Sequence, residues 1–363
     1  MKLQAPKLFF AILVVLMLSG CAGSILKFEN SEAVLQNKEF DTAIKVKELE
    51  EPAPVAAPTE GSTQATGTGD GKPAVSSAPT TVVPSSKVAV KKATPKKTKK
   101  GKALPVDTTP KPREPRTEDD EGFVGRRPIK DPYRVGEEVV LDISYFALDA
   151  GELKMQTRSF VEVNGRRAYR FHATARTVSV FESFYKVDDY AETLVDFETL
   201  LPFSYTLDVK ESKVLRDARA VHETAAGQPG KMKFWDKKIT KESGVEERTL
   251  EWEMLPYSQN IFSAIWYLRA FTLTPGKKIK INMAHEGENI TVTCEVLRRE
   301  KLSTSLGKLD TVVISPTAEK NGQPHNIGTN LFWLTDDDSK LMVRMESKIK
   351  IGKIVGSLSS LKK

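Results

Sequence analysis

A long stretch without aromatic side chains limits what this chain can fold into. Residues 51–122 contain no Phe, Tyr or Trp, and they hold 11 of the chain's 20 prolines. A segment of this composition cannot bury enough apolar surface to offset the entropy of ordering it, so we expect it to be disordered. All four tryptophans follow it. We therefore expect a single folded domain at residues 123–363, large enough for a substantial core.

The N-terminus predicts an exported and lipid-modified protein. Two lysines precede an almost unbroken apolar run at residues 8–18. A run of about 11 residues is too short to span a bilayer and is typical of a signal-peptide core. Ser19 and Gly20 then precede Cys21, a pattern similar to the bacterial lipobox. We predict that residues 1–20 are cleaved off between Gly20 and Cys21 and that Cys21 is acylated; the alternative is an ordinary secretory signal with a chance cysteine.

Acylation would determine where the chain resides. Two acyl chains on one residue hold a protein stably on a membrane, since each buried methylene contributes about 0.8 kcal/mol. Ala22, rather than aspartate, follows Cys21; this resembles the sorting pattern of outer-membrane lipoproteins, so we expect an outer-membrane protein that faces the periplasm. Within residues 21–50, apolar positions predict a short helix from Ser31 to about Leu49, with Ser31 as its N-cap. This helix could dock on the domain or on another envelope protein, or it could lack a partner.

Residues 51–122 are expected to act as a tether. A flexible chain of about 70 residues spans about 45 Å on average, which would let the domain work away from the membrane. Residues 87–102 hold eight lysines and no acidic residue; such a run can contact anionic lipid headgroups, envelope polymers or peptidoglycan, and a solvated linker is the alternative. Nucleic acid is excluded as a partner because the run lacks interleaved aromatic residues and the protein is exported. The candidate contacts are Lys91, Lys92, Lys96, Lys97, Lys99 and Lys100.

From Pro132 onward, apolar and polar residues alternate with a period of two. Val139, Leu141 and Ile143 form one such apolar face, which indicates a half-buried strand. Asn164-Gly165 predicts a two-residue hairpin. One polar and one apolar face per strand favours a large antiparallel sheet, and a sheet of this size must curl or close. Further strands are predicted at residues 184–195, 203–210, 215–222, 231–235, 248–254, 278–283, 290–296, 309–315, 330–335 and 341–351.

One helical pattern interrupts the strands, at residues 258–269. Its apolar stripe has the spacing i, i+3, i+4, i+7, with Ser258 as the expected N-cap and Arg269 expected to contribute only through the helix dipole and an ion pair. We expect this helix to be largely buried and to plug the concave side of the sheet; a ligand-binding helix with contacts at Phe262 and Trp266 is the alternative. The expected fold class is thus mainly β, a large curved antiparallel sheet or open β-barrel with one buried helix. The stripe consists of Ile261, Ala264, Ile265 and Leu268.

Several short motifs resemble one known family. They are residues 132–137 (PYRVGE), residues 187–193 (VDDYAET), the helix from Asn260 followed by Pro275-Gly276, and residues 332–338 (FWLTDDD). Over residues 132–351 the chain resembles the bacterial envelope family DUF3108, a domain of unknown function. The resemblance implies an exported, β-rich domain and supplies no catalytic residues. Such proteins often carry aspartate where this chain has Asn260, which weakens a carboxylate role at that position. A curved sheet that holds a helix is also similar to the periplasmic carrier and receptor of lipoprotein sorting, but fold alone does not determine function.

The sequence predicts no cofactor, no metal site and no catalytic residues. The spacing of the four histidines matches no zinc motif, and His172 and His222 lie on the polar parity of their strands, which reads as solvent-facing. Cys294 lies on an apolar face, which predicts a buried, inert thiol. The acidic run 336–338 is expected to form a hairpin turn. The best carboxylate cluster, which strand caps and ion pairs to Lys186 would also explain, is Asp188, Asp189 and Glu192.

Three functions remain open at this point. The first is a non-catalytic binding domain for an envelope component, such as a lipid-like ligand, a cell-wall polymer or a protein partner. The second is a structural or assembly factor of the envelope without a small ligand, and the third is a hydrolase of envelope polymers. An apolar cavity beside the helix would favour the first, and a packed interior with an exposed apolar patch the second. A cleft that gathers Asp188, Asp189 or a histidine with a perturbed pKa would favour the third.

Overall fold

The computed structural model describes residues 37–49, 131–146, 148–183, 185–224, 227–349 and 352–363. Alternating apolar residues form long strands joined by short turns, as the pattern predicts. The Asn164-Gly165 hairpin is confirmed: Val163 pairs with Arg166, and the turn residues have φ of 50° and 83°. Positive φ at both turn positions matches the twist of the flanking strands.

The described residues form three short helices and sixteen strands. The helices are α1 (Lys38–Ala43), α2 (Ser179–Glu182) and α3 (Ser263–Leu268). The strands are β1 (Val46–Glu48), β2 (Glu138–Tyr145), β3 (Leu148–Val163), β4 (Arg166–Thr177), β5 (Asp188–Asp196), β6 (Pro202–Lys210), β7 (Val214–Glu223), β8 (Gly230–Thr240), β9 (Gly244–Met254), β10 (Lys278–His285), β11 (Glu288–Thr304), β12 (Gly307–Lys320), β13 (Gln323–His325), β14 (Thr329–Thr335), β15 (Met342–Lys348) and β16 (Lys353–Lys362). None of these helices is long and apolar enough to cross a membrane.

All strands belong to one antiparallel sheet that nearly closes into a barrel. Its order is β10-β11-β12-β14-β15-β16-β2-β3-β4-β5-β6-β7-β8-β9, with β1 added to β3 and β13 to β12. The first and last strands, β10 and β9, therefore lie at the two edges of the sheet. The predicted fold class, a mainly β curved sheet or open barrel with a buried helix, is confirmed.

Side chains close the seam between β9 and β10. Glu286, in the turn after β10, accepts hydrogen bonds from Arg216 of β7 at 2.6 Å and from Arg248 of β9 at 2.7 Å. Asp236 of β8 accepts from the same two arginines at 2.6 and 2.8 Å. Although burial opposes ionisation, the two guanidinium groups hold the pKa of Glu286 at about 2, so this network is ionised at neutral pH.

Helix α3 lies on the inner side of the sheet, where two apolar clusters meet. Trp266 stacks on Phe171 of β4, with ring centroids 4.8 Å apart, inside the larger cluster. Phe262 packs edge-on against Tyr205 of β6 at 5.4 Å, inside the smaller one. The predicted buried helix that plugs the concave side is thus present, and both rings belong to the core.

The start of α3 differs from the prediction. The helix begins at Ser263, not after Ser258, and Phe262 occupies its N-cap position; the Asn260 Oδ1, rather than Ser258, accepts from the backbone N–H groups of Phe262 and Ser263, at 3.0 and 2.8 Å. The Asn260 Nδ2 also donates to Thr193 Oγ1 of β5 at 3.0 Å. A neutral amide at this buried position both caps the helix and ties it to the barrel wall, whereas a carboxylate could only accept.

The predicted elements are correct in most places, but one strand and one helix are predicted wrongly. The span 341–351 is not one strand, because β15 ends at Lys348 and a turn with Gly352 at φ 85° leads into β16. The predicted helix from Ser31 to Leu49 is also wrong in its described part: α1 has only six residues, Asn37 is its N-cap, and β1 follows it. Residues 31–36 lie outside the described residues.

Candidate functional site

An apolar cavity of about 150 Å³ lies beside α3. One wall is the predicted helix stripe, Ile261, Ala264, Ile265 and Leu268. The stripe residues at 261, 264 and 265 are only half-buried, because they face this space rather than protein atoms. The other walls are inward-facing residues of β2, β3, β10, β11 and β14: Val139, Met155, Ile281, Met283, Val292, Cys294 and Phe332.

The cavity walls contain unusually adaptable side chains. Met155, Met283 and Met342 all line it, and unbranched thioether chains can repack around irregular ligands. A mainly apolar space of this volume can hold a benzene-sized molecule. The space therefore admits a ring or the end of one hydrocarbon chain, and the methionines allow it to lengthen.

A buried ion pair bounds one end of the cavity. Arg269, directly after α3, donates to both carboxylate oxygens of Glu137, at 2.6 and 2.9 Å. The same guanidinium donates to the carbonyls of Pro132 and Ser339 at 2.9 and 2.8 Å, and Thr157 donates to Glu137 at 2.6 Å. Both charged residues are at most 4 % exposed. The pair is thus satisfied within the protein and fixes the C-terminal end of α3 to the start of β2.

The ion pair expected for Arg269 is present, but the minor role expected for this residue is wrong. An exposed residue at a helix C-terminus acts mainly through the helix dipole, whereas Arg269 is buried and its side chain donates hydrogen bonds to three residues. Glu137 was missed altogether as a functional or structural residue. No local signal could have found it, because its partner lies 132 positions further along the chain.

Of the two predicted ligand contacts at α3, one lines the cavity and the other does not. Trp266 lines the cavity, although its ring is 3 % exposed and stacked on Phe171. Phe262 is not among the lining residues and packs on the opposite side, against Tyr205. Cys294, predicted as a buried thiol, is buried and lines the cavity. Burial raises the pKa of its thiol to about 12, which keeps it protonated and unreactive.

The predicted carboxylate cluster is not gathered into one site. Asp188 and Glu192 point outward from β5, where Arg176 donates to Asp188 at 2.9 Å and Arg170 donates to Glu192 at 2.7 Å. The ion-pair partner of Asp188 is therefore an arginine of β4, rather than the predicted lysine. Asp189 has the opposite parity and is buried. Alternation along a strand separates the two neighbours onto opposite faces of the sheet.

Asp189 forms a carboxyl pair that the sequence did not indicate. It is hydrogen-bonded to Glu211, which also accepts from the Tyr185 hydroxyl, and it accepts from the Lys210 backbone N–H at 3.0 Å. Burial, and then the nearby Glu211 carboxylate, raise the pKa of Asp189 to about 8. Two such groups can share one proton at neutral pH. The pair is not among the residues that line the cavity.

Two histidines expected to face solvent are buried. His172 is 3 % and His222 is 4 % exposed, so the predicted exposure to solvent is wrong. His222 shares the inward face of β7 with Ala218 and Ala220, and His172 lies on the outer face of β4 under the Tyr190 ring at 4.4 Å. Burial lowers the pKa of His222 to about 3 and, with Arg158 nearby, that of His172 to about 4. Among the described residues no group of three or more His, Cys, Asp or Glu could hold a metal ion.

The remaining predicted site residues cannot be placed. The cleavage and lipidation site, Gly20 and Cys21, lies outside the described residues. So do the candidate anionic-surface contacts Lys91, Lys92, Lys96, Lys97, Lys99 and Lys100. The acidic run 336–338 is described and forms the turn between β14 and β15, in which Asp337 accepts from the backbone N–H groups of Ser339 and Lys340.

Solved structures of similar fold are distant from this chain. A β-barrel-like protein of the DUF1849 domain of unknown function from Brucella abortus is 15% identical, with a TM-score of 0.40, and the match covers 63% of this chain and 97% of that one. An exported protein with a YmcC-like fold from Bacteroides fragilis is 8% identical, with a TM-score of 0.28 and coverage of 64% and 99%. A protein described as a lipoprotein from Parabacteroides distasonis is 10% identical, with a TM-score of 0.29 and coverage of 64% and 99%.

The family model is more informative than these structures. No curated protein matches the chain. The model described as "Protein of unknown function (DUF3108)" matches residues 140–359. This span runs from β2 to β16 and so includes most of the barrel, α3 and most of the cavity wall. The chain belongs to the DUF3108 family.

Proposed function

We propose that this protein is an outer-membrane lipoprotein that binds the hydrocarbon part of an envelope lipid. Acylated Cys21 anchors it facing the periplasm, and the barrel takes up one chain end in the cavity beside α3. It catalyses no reaction. The observation that carries this proposal is the apolar cavity itself, since folded interiors are otherwise close-packed and contain few spaces larger than a water molecule.

The cavity's chemistry favours a lipid over the other candidate ligands. Its walls are mainly aliphatic side chains, three methionines and two aromatic rings, and the polar lining residues are Glu137, Gln156, Arg269, Asn330 and Lys340. The polar Glu137 and Arg269 at its edge already bond to each other, Arg269 to backbone carbonyls and Glu137 to Thr157. A cell-wall polymer needs unpaired donors and acceptors to replace its bonds to water, whereas a hydrocarbon chain needs only apolar area.

The same geometry argues against the two alternatives. An assembly factor without a ligand has no need for a cavity in its core. A hydrolase needs its acid and base within reach of a bound substrate, but the raised-pKa pair Asp189–Glu211 does not line the cavity. We therefore assign this pair to the folded framework rather than to catalysis.

Binding can be tested with 8-bromooctanoate, whose terminal bromine quenches tryptophan fluorescence at short range. Trp266 lines the cavity, so we expect saturable quenching that is lost in the Trp266→Phe variant. Ala264→Leu fills the cavity from the helix side and should weaken binding at least tenfold. The control is Thr317→Leu, which places the same leucine side chain on the exposed face of β12 and should bind normally.

Two results would count against a hydrocarbon site. One is the absence of saturable quenching in the unmodified protein. The other is equal binding by Ala264→Leu and Thr317→Leu, provided that both variants melt within a few degrees of the unmodified protein. The proposal would be supported further if native mass spectrometry of protein from its own envelope showed a lipid that Ala264→Leu fails to retain.

A further inference from the structure

Residues 37–49, here called the N-terminal strap, pack on the outside of the barrel. The strap's strand β1 pairs with residues 161–163 at the end of β3. The turn residue Asn164 adds three hydrogen bonds: its side chain accepts from Lys45 N at 3.0 Å and donates to Ala43 O at 2.9 Å, and its backbone N–H donates to Lys45 O at 3.0 Å. The hairpin that joins β3 and β4 therefore also holds the strap.

An apolar patch on the barrel's outer face lies under the strap. Phe40 and Ile44 of the strap are each 7% exposed. Phe40 meets the Trp235 ring edge-on at 6.3 Å, and the Arg219 guanidinium lies 5.4 Å from the Phe40 ring centroid. An outward face of a solvated barrel is normally polar, so a patch of this kind needs a cover. The patch residues are Val161, Val163, Ala168, Leu194, Phe203 and Val221.

Polar contacts at both ends fix the strap's register. Glu39 accepts from the Trp235 indole N–H at 2.9 Å and lies 3.0 Å from the Lys233 ammonium. Glu48 forms an ion pair with Arg170 at 2.8 Å. Exposed pairs of this type add little stability. Their value here is positional, since they set which residues of the strap face the barrel.

This attachment changes what connects the membrane to the barrel. Only residues 22–36 separate the strap from Cys21, the proposed lipidation site, and a 15-residue segment would span about 20 Å on average if it behaved as a random coil. On either side of residues 50–130, the described chain contacts the barrel: the strap lies before them, and Asp131, directly after them, accepts a hydrogen bond from the Tyr169 hydroxyl of β4. The two described ends of the chain that flank the proline-rich segment are therefore both held on the barrel.

We propose that the strap, not residues 51–122, connects the barrel to the membrane. This proposal rests on the proposed acylation of Cys21. The barrel is then held about 20 Å from the bilayer, instead of the roughly 55 Å average span of the 101 residues 22–122 acting as one free tether. A cut anywhere between the strap and Asp131 would then leave the barrel attached through strap contacts alone.

A specific protease site that replaces residues 66–72 tests the proposal in the full lipidated chain on vesicles. After cleavage we expect at least nine-tenths of the barrel fragment to sediment with the vesicles. Phe40→Asp, which places a charge on the apolar patch, should release most of it. The matched control Thr42→Asp adds the same charge on the exposed side of α1 and should retain it.

Release of the unmodified barrel on cleavage, to the same extent as in Phe40→Asp, would overturn the strap assignment. Failure of the anchor is seen separately, because the uncleaved chain would then stay in the supernatant, as the Cys21→Ser variant should. In that case the strap is still tested in solution: co-elution of the cleaved N-terminal fragment with the barrel in gel filtration supports it, and separation refutes it. Neither readout depends on ligand binding in the cavity.

Discussion

Replacing Glu137 with glutamine would leave the Arg269 guanidinium buried without its carboxylate. Both oxygens of Glu137 accept from Arg269, at 2.6 and 2.9 Å, and neither residue is more than 4% exposed. Glutamine has nearly the same shape but offers one acceptor oxygen and turns an NH₂ group toward an N–H donor. The change therefore removes charge and one acceptor while it preserves volume.

The expected cost follows from this burial. Breaking a buried ion pair by neutralising one partner costs about 3–5 kcal/mol, because the other charge stays desolvated. For a domain of this size, 1 kcal/mol corresponds to about 2–4 °C in Tm, so Glu137→Gln should lower Tm by roughly 6–20 °C. Arg269 also ties the C-terminal end of α3 to the carbonyls of Pro132 and Ser339. We therefore expect hydrocarbon binding to weaken as α3 loosens.

Thermal and urea unfolding at pH 7, followed by circular dichroism, measure the cost. The matched control is Asp310→Asn, since its ion pair with Lys301 at 2.7 Å is about 70% exposed on both sides and should cost at most about 1 kcal/mol. The double variant Glu137→Leu/Arg269→Met should recover most of the loss, because no uncompensated charge remains. If Glu137→Gln costs no more than Asp310→Asn, the pair is not the tie that we describe.

Two further predictions concern the core and pH. Trp266→Ala should cost about 3–5 kcal/mol, because the ring is buried and stacked on Phe171; a variant that stays as stable but no longer retains lipid in native mass spectrometry would make Trp266 a ligand contact only. The raised pKa of Asp189 means that the native state binds the extra proton between about pH 4 and pH 8. Stability should therefore fall with rising pH across that window, by up to about 1.4 kcal/mol per unit. Asp189→Asn should flatten this slope in urea titrations at pH 5, 6 and 7.5, and an unchanged slope would show that another group is responsible.

The sequence predicted the helix stripe of the site but not what surrounds it. Spacing alone indicates that Ile261, Ala264, Ile265 and Leu268 share one face of α3, because helical periodicity is local. Whether that face meets packed atoms or an open space depends on strands more than 120 residues away, such as β2 with Val139, and only the structure showed the cavity. The alternation pattern gave a wrong prediction at His222, because a polar residue that shares an inward strand face with alanines resembles a solvent-facing residue.

Local chemistry was sufficient for what depends on neighbours in the chain. Alternating residues determined the antiparallel strands, Asn164-Gly165 determined a hairpin, and composition placed most of the fold, though not residues 37–49, after the proline-rich segment. Tertiary structure decided three features that join distant residues: the Glu137–Arg269 pair, the Asp189–Glu211 pair and the strap on β3. These contacts depend on which strands become neighbours when the sheet curls. Pairing between strands that are distant in the chain leaves no local sequence pattern, so the cavity and the strap could be recognised only in the tertiary structure.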